Sequence, residues 1–547
     1  MPQLRDVILL LTLFIAGFLL LRRPSWAARL ETPFFLTLQL AVLALSAALL
    51  LFEIIASSFL PQFVDHISPQ IAAASWALLN GQPLYPNWRN GEGFYGMLYG
   101  PLIYEYQSIF LVLSPPLLAS KLSGVFAFLT ALVVTSIAIF RRRTFLWVDG
   151  VILGYGIILL GGSLNYEFWN RPEPVLILLA AVALIAHQSE RAALAAIVIG
   201  ACMGLATGLK VHGAVYIMPM AVGLLLKQGT PASRIKVLIL GFVGATAGAA
   251  LPWLAPGAGF DDLLQYMQLA AGHGLSADLL IKSAVFGVVI AAPLLLLLPS
   301  VGLSPDKAIR GVLYTTVLCL LITAVVAAKP GSGPHHLFPF ILPMCWLATR
   351  QAEYRKSRDP RNAQAPVLMG ACLLCAALGY AKPWIEFARL TSRHIQTAAL
   401  EKLKIDELRE LYRRAPDASM GVADVGTYED TYYRLVGLDQ GSRLVFDIAA
   451  WMDIAFGKQS GSKSILPLAV GCRVPHWIVP AKEAPFSLRS PYDGQPLFPP
   501  EFIEAFKSNY VRTVQGSYYD VWSCHGARVT RDPNENMLGL PSLADRR

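Results

Sequence analysis

Side chains able to do chemistry gather in four short stretches of this sequence, each bordered by apolar runs. They are Phe63-Val64-Asp65-His66, then Asn165-Tyr166-Glu167-Phe168-Trp169-Asn170-Arg171-Pro172-Glu173, then Lys210-Val211-His212, and last Lys329-Pro330-Gly331-Ser332-Gly333-Pro334-His335-His336. Ionisable groups at a membrane surface or within it are expensive to keep, so their grouping points to use. A carboxylate such as Asp65 can take a proton from an attacking hydroxyl. Arg171, Lys210, Lys329 and the His335–His336 pair can hold a phosphate and stabilise it as it leaves. Tyr85, Trp88, Tyr95, Tyr99 and Tyr104 crowd the segment after Asp65 and offer flat apolar faces to sugar rings. A membrane-embedded phosphate carrying a sugar meets all three requirements.

Each of these residues also has a purely structural reading. Asp65 is a favoured N-cap for a helix beginning near Ile67. Glu167 and Glu173 can pair with Arg171 as an interfacial ion pair. Lys210 can snorkel to the surface. His335 and His336 can cap a span after a Gly/Pro turn, and the tyrosines can belong to an interfacial aromatic belt. Glu53 and Glu105 read as structural, Arg141-Arg142-Arg143 as a topology signal, and Asp424, Glu429 and Asp430 as solvated loop residues. A His pair alone is not a zinc site, which takes three or four ligands, so no metal ligands are assigned.

The elements that must position these residues are set by composition. Of 547 residues, 55% are hydrophobic and only 15% charged, and the mean hydropathy is +0.51. That excludes disorder, a collagen-like fibre and a typical soluble enzyme, and it points to a polytopic α-helical membrane protein. Twelve apolar runs read as transmembrane helices: 7–21, 34–58, 118–140, 148–164, 173–188, 192–208, 213–226, 236–256, 278–298, 310–328, 336–349 and 365–381. The first is followed by Arg22-Arg23-Pro24 rather than a small-residue cleavage site, so it reads as a retained helix and not a signal peptide.

Charge orients the bundle. Residues 1–383 hold 25 Lys and Arg against 16 Asp and Glu, so the whole excess of nine lies there; residues 384–547 hold 20 of each sign. One set of alternate loops carries 17 of those 25 cations and the opposite side eight. The positive-inside rule places the richer set in the cytoplasm, with both termini, the 59–117 loop, the 165–172, 257–277 and 329–335 segments and everything after 382 outside. An inner (plasma) membrane protein of a bacterium, with an extracytoplasmic site, is the expected location. Within the first outer loop, 67–80 and 102–116 read as juxtamembrane helices, the former with Ile67, Ile71, Ala74 and Leu78 on one face.

After Lys382 the composition shifts towards Pro, Asp, Tyr and Arg. Residues 384–547 read as an extracytoplasmic α/β domain beside the 1–383 membrane module, with a helix at 400–414 and strands at 444–446, 477–479 and 510–514. Cys472 and Cys524 are the two cysteines of this domain, and an oxidising compartment favours their disulfide.

The stretch Asp65, Ala72-Ala73-Ala74, Leu79-Asn80-Gly81-Gln82-Pro83-Leu84-Tyr85-Pro86 and Tyr99-Gly100-Pro101-Leu102-Ile103-Tyr104 resembles the first outer loop of GT-C glycosyltransferases. These polyprenyl-phosphate-sugar-dependent enzymes include protein O-mannosyltransferases, aminoarabinose transferases, polyprenyl-phosphate-mannose mannosyltransferases and oligosaccharyltransferase catalytic subunits. The resemblance covers roughly residues 34–349. It implies that Asp65 is the catalytic base, that Asn170-Arg171-Pro172-Glu173 is similar to the second outer motif, and that Lys210 and the 329–336 turn lie near the lipid phosphate. It thereby assigns substrate contact to His66, Tyr85, Tyr99, Glu167, Arg171, Glu173, Lys210, His212, Lys329, His335 and His336. The implied partners are a polyprenyl-phosphate-linked sugar, a lipid, glycan or protein hydroxyl acceptor, and the bilayer; nucleic acid is not among them. The sequence departs from the family in three ways. His66 stands where many relatives have a second acid, Asp261-Asp262 is not a DxD-type metal pair, and 7–21 is an added N-terminal helix. No cofactor is firmly implied, and a divalent metal stays open. A secondary transporter or lipid flippase, and a non-catalytic subunit of a cell-envelope polysaccharide assembly system, are the alternatives. The first should show repeated halves with midplane charges, and neither is seen here.

Overall fold

The computed structural model describes residues 33–96, 99–113, 116–141, 147–162, 170–271, 274–298, 303–358, 364–456, 464–490 and 494–525. The first apolar run, 7–21, and Glu167 lie outside them. Helices dominate: α1 (Pro33–Phe59), α2 (Ile67–Leu79), α3 (Leu102–Leu111), α4 (Pro116–Phe140), α5 (Trp147–Gly161), α6 (Pro172–His187), α7 (Ala192–Thr207), α8 (Ala214–Lys227), α9 (Pro231–Ala250), α10 (Phe260–Ala271), α11 (Ala277–Leu297), α12 (Lys307–Val326), α13 (Ile341–Arg358) and α14 (Gln364–Arg414). Among the described residues, six helices are long and apolar enough to cross a membrane, and several shorter apolar ones accompany them. Large apolar side chains such as Phe34, Leu45, Phe242 and Leu321 are exposed on them, the condition expected where lipid is the solvent.

Each of the eleven later apolar runs is met by a helix, with two informative differences. The run expected at 336–349 starts as a 3-10 turn, Pro334–Phe340, and becomes α-helical only at Ile341. Pro334 and Pro339 cannot donate to an α ladder. That helix then continues to Arg358, where helix-forming charged residues include an Arg350–Glu353 pair at 3.1 Å. The run at 365–381 and the amphipathic helix at 400–414 are one continuous α14. No glycine interrupts residues 380–414, and Pro383 is accommodated inside the helix.

The chain divides into two compact units, Met1–Leu60 with Leu98–Gln396, and Pro61–Met97 with Thr397–Arg547. In the first unit, α7 and α9 pack backbone to backbone. A Cβ on Gly200 would lie 2.0 Å from the Gly241 carbonyl oxygen, and one on Gly204 2.1 Å from that of Ala245. Small residues at four-residue spacing permit this approach, the usual means of joining helices that share a lipid solvent. Lys121, fully buried on α4, donates to the carbonyls of Ser57 and Leu60 and so satisfies the open end of α1.

The second unit adds α15 (Arg434–Asp439), α16 (Ile448–Phe456), α17 (Leu466–Val470) and α18 (Pro500–Asn509), with a four-stranded sheet. Its strands are β1 (Ser419–Met420), β2 (His476–Pro480), β3 (Tyr510–Gln515) and β4 (Tyr519–Cys524), in the order β1-β2-β4-β3. β1 and β2 are parallel and the other pairs antiparallel. The core is aromatic: Phe486 meets Phe498 at 5.1 Å and Phe506 at 5.0 Å, and Trp451 stacks on Phe498 at 5.9 Å. The Cys472–Cys524 disulfide is formed.

Part of the first outer loop is built into this unit. Residues 444–446, expected as a strand, do not join the sheet. Instead Phe94 N donates to Val445 O (2.8 Å) and Asp447 N to Phe94 O (2.7 Å). The Trp76 indole donates to Leu438 O at 2.9 Å, and the Gln82 amide both receives from Leu444 N and donates to Leu444 O. α2 is therefore buried on nearly every side rather than on one face, which its Ala72-Ala73-Ala74-Ser75 run allows. Asp430, expected in solvent, accepts from Lys404 Nζ at 2.7 Å, and Lys404 also meets Glu401 at 3.1 Å.

Candidate active site

The polar residues of three separated stretches meet at helix ends in the first unit. α6 opens with Pro172 at its first position and Glu173 in the first turn, an arrangement suited to a helix N-terminus. α7 ends at Thr207, and the turn through Lys210 and His212 leads into α8. The 3-10 turn after Gly333 supplies His335 and His336.

Glu173 Oε1 and Lys210 Nζ form an ion pair at 2.6 Å, with side chains only 1% and 4% exposed. His335 Nε2 lies 3.8 Å from the same carboxylate oxygen. Glu173 Oε2 is buried and has no hydrogen-bond partner among the described residues. Arg171 is buried beside the pair, and its charge acts on both members. A second layer is made of rings. His336 Nδ1 is 3.4 Å from His212 Nε2, the two imidazoles stack at 5.5 Å, and His212 Nε2 is 3.0 Å from the Tyr216 hydroxyl. Burial, and next the charge of Lys210, push the His212 imidazole down to about 3. It is therefore neutral at physiological pH and passes a hydrogen bond rather than a charge.

Tyr99 closes one side, its ring centroid 5.6 Å from Lys210 Nζ. Its segment is tied to the Lys210 turn by Gly100 N to Leu209 O and Leu102 N to Gly208 O, both 3.0 Å. This contact needs a glycine, since a Cβ on Gly100 would lie 2.3 Å from Gly208 O. Lys329 starts the turn that leads to the histidines, and its charge reaches His336.

Tyr99, Arg171, Glu173, Lys210, His212, His335 and His336 are thus brought together, with Lys329 at the edge. Asp65, His66 and Tyr85 belong to the second unit. There Asp65 Oδ1 accepts from the amides of Ile67 (2.6 Å) and Ser68 (2.9 Å), the capping geometry. His66 lies 6.1 Å, ring to ring, from Tyr428. Tyr85 is buried. Two participants were not singled out in the sequence. Tyr216 sits four residues after His212, one helical turn on, and that spacing was a legible signal. Tyr428 carried no such local sign.

Chemically, the first-unit cluster holds two cationic side chains, Arg171 and the Glu173-paired Lys210, against one carboxylate. It is walled by aromatic rings and extended by His335, which can add a further charge. Such a cluster suits an anion with several oxygen acceptors.

Two solved structures share this architecture. ArnT from Cupriavidus metallidurans in the apo state superposes with a TM-score of 0.50 at 11% identity, over 88% of this chain and 97% of that one. The same protein bound to undecaprenyl phosphate gives 0.52 at 11% identity, over 89% and 99%. The chain has the GT-C fold. The sequence matches no protein-family model and no curated protein, so the GT-C likeness is one of fold.

Proposed function

We propose that this protein is an inverting glycosyltransferase. It moves a sugar from a polyprenyl-phosphate donor to a hydroxyl of a lipid, glycan or protein acceptor on the periplasmic side of a bacterial inner membrane. The observation that carries the reading is the buried Glu173–Lys210–His335 cluster with Arg171, on a fold shared with a protein solved with undecaprenyl phosphate. In this reading, twelve helices cross the membrane with both termini outside.

The roles follow from the chemistry of each group. Asp65 takes the proton of the acceptor hydroxyl as its oxygen attacks the anomeric carbon. The carbon–oxygen bond to the lipid phosphate breaks, and the polyprenyl phosphate leaves with the bonding pair. Arg171 and Lys210, with Lys329 and His335, hold that phosphate. Glu173 keeps Lys210 charged and aimed in a buried setting, where an isolated ammonium would lose its proton. His212 and His336 position the turn from which Lys210 projects. Tyr99 packs against Lys210, and Tyr85, His66, Glu167 and Glu173 are assigned to the substrate side. One displacement with one base inverts the anomeric centre. Transfer from a panel of radiolabelled polyprenyl-phosphate sugars, with membrane-lipid extract as acceptor, tests this. Label should appear in product with wild type and be lost in Asp65→Asn. Full transfer by a correctly folded Asp65→Asn protein would sink the assignment of the base.

A further inference from the structure

The second unit contains a cavity of about 720 Å³ whose lining includes none of the residues assigned above, a size typical of ligand sites. A smaller one of about 450 Å³ adjoins it and shares Arg443 and Arg473 in its lining. These two arginines come from segments of the same design: Gly441-Ser442-Arg443-Leu444-Val445 and Gly471-Cys472-Arg473-Val474-Pro475. Each follows a short helix, α15 or α17. Each glycine amide closes the helix end, Gly441 N on Leu438 O and Gly471 N on Pro467 O, both at 3.1 Å. In each segment the aliphatic residue after the arginine is buried and the arginine exposed. The buried residue anchors the segment, and the guanidinium projects to the shared cavity wall.

The walls are held in place before any ligand arrives. The Gln82 amide bonds both backbone groups of Leu444, next to Arg443. Arg473 Nη1 donates to Gly91 O at 3.1 Å, which leaves its remaining N–H groups for a ligand. The lining also offers Asn80, Glu92 and Tyr95 as neutral or acceptor groups, and Pro83 as an apolar surface. Paired guanidiniums grip carboxylate or phosphate oxygens with planar forks. Amide and carboxylate groups beside an apolar wall suit sugar hydroxyls and the flat face of a ring.

We propose that this cleft is a saccharide-binding site for a glycan bearing a carboxylate or a phosphate, gripped between Arg443 and Arg473. Binding here does not depend on the transfer reaction, so the two readings are tested apart.

The test is equilibrium binding to the full-length protein in nanodiscs, without donor. The probes are tetragalacturonate, a phosphorylated maltotetraose, neutral maltotetraose and inorganic phosphate. At least one acidic tetrasaccharide should bind tenfold or more tightly than both the neutral one and inorganic phosphate. Its binding should weaken with added salt, fall tenfold or more in Arg443→Gln, and disappear in Arg443→Gln/Arg473→Gln. Arg443 is exposed, so its variant folds even if Arg473→Gln, which loses a bond to Gly91 O, does not. Failure of every saccharide to bind at millimolar concentration would overturn the proposal. So would unchanged affinity in Arg443→Gln, or inorganic phosphate binding as tightly as the acidic saccharides.

Discussion

The Glu173–Lys210 pair is the sharpest place to test this reading. Both side chains are almost fully buried and 2.6 Å apart. Removing one partner strands the other charge in a low-dielectric site, at a cost of about 3–5 kcal/mol. Lys210→Met and Glu173→Met should therefore each melt several degrees below wild type in nanodiscs, followed by tryptophan fluorescence. Replacing both at once removes the stranded charge, and buried pairs exchanged for apolar residues are often neutral or better. The double variant should recover most of the loss, a coupling of about 3 kcal/mol, at the upper end for residues in direct contact. A coupling below about 0.5 kcal/mol would refute the buried ion pair. The second readout separates structure from function. The refolded double variant has lost the cation assigned to the lipid phosphate, so undecaprenyl phosphate should bind about a hundredfold more weakly, the loss typical of one well-placed donor. A double variant that is as stable as wild type and binds the lipid phosphate equally well would show that Lys210 serves the fold alone.

Three further outcomes are expected. Asp65→Asn keeps an oxygen to accept from the Ile67 and Ser68 amides, so it should fold normally while transfer falls by about 10²–10⁴. Asp65→Ala should in addition lose about 1 kcal/mol of stability through the missing cap, which melting curves of the two variants resolve. Gly100→Ala forces a Cβ against the Gly208 backbone and should cost about 1–3 kcal/mol and weaken lipid-phosphate binding; a neutral effect would remove the Tyr99 segment from the site. Burial pushes the Asp447 carboxyl up to about 6, against the opposing pull of Arg434 and of the Ala450 and Ala449 amides. A raised carboxyl pKa favours the folded state at low pH, and that contribution is lost as pH rises from about 4 through 6. Wild type should thus lose about 3 kcal/mol relative to Asp447→Asn across that window; parallel pH–stability profiles would contradict it.

Much of this protein was legible in one dimension. Apolar runs fix helices in a membrane because no other local structure satisfies every backbone group there; of the eleven within the described residues, nine were met by helices within a few residues, the 336–349 and 365–381 runs being the exceptions. The second-motif turn, Lys210 and the histidine pair carry charges at the ends of apolar runs, where only use or pairing justifies their cost. The Cys472–Cys524 bridge followed from compartment and from the lack of any other cysteine in that domain. Helix ends were less legible. Proline and glycine announce them, but a polar stretch rich in helix formers, as between 382 and 400, does not.

The tertiary structure decided the partnerships. That Glu173 takes Lys210, that His212 meets His336, and that Phe94 pairs with Val445 and Asp447 are facts about residues tens to hundreds of positions apart. Hydropathy and spacing report only on near neighbours along the chain. The assignment of Pro61–Met97 to the unit of the C-terminal sheet has the same origin. Its helix is short, rich in small residues and closely packed, so a face that reads as amphipathic is in fact buried all round. The matched arginines of the second unit stand in plain view in the sequence, yet nothing local says that two short helices turn them to the wall of one cavity.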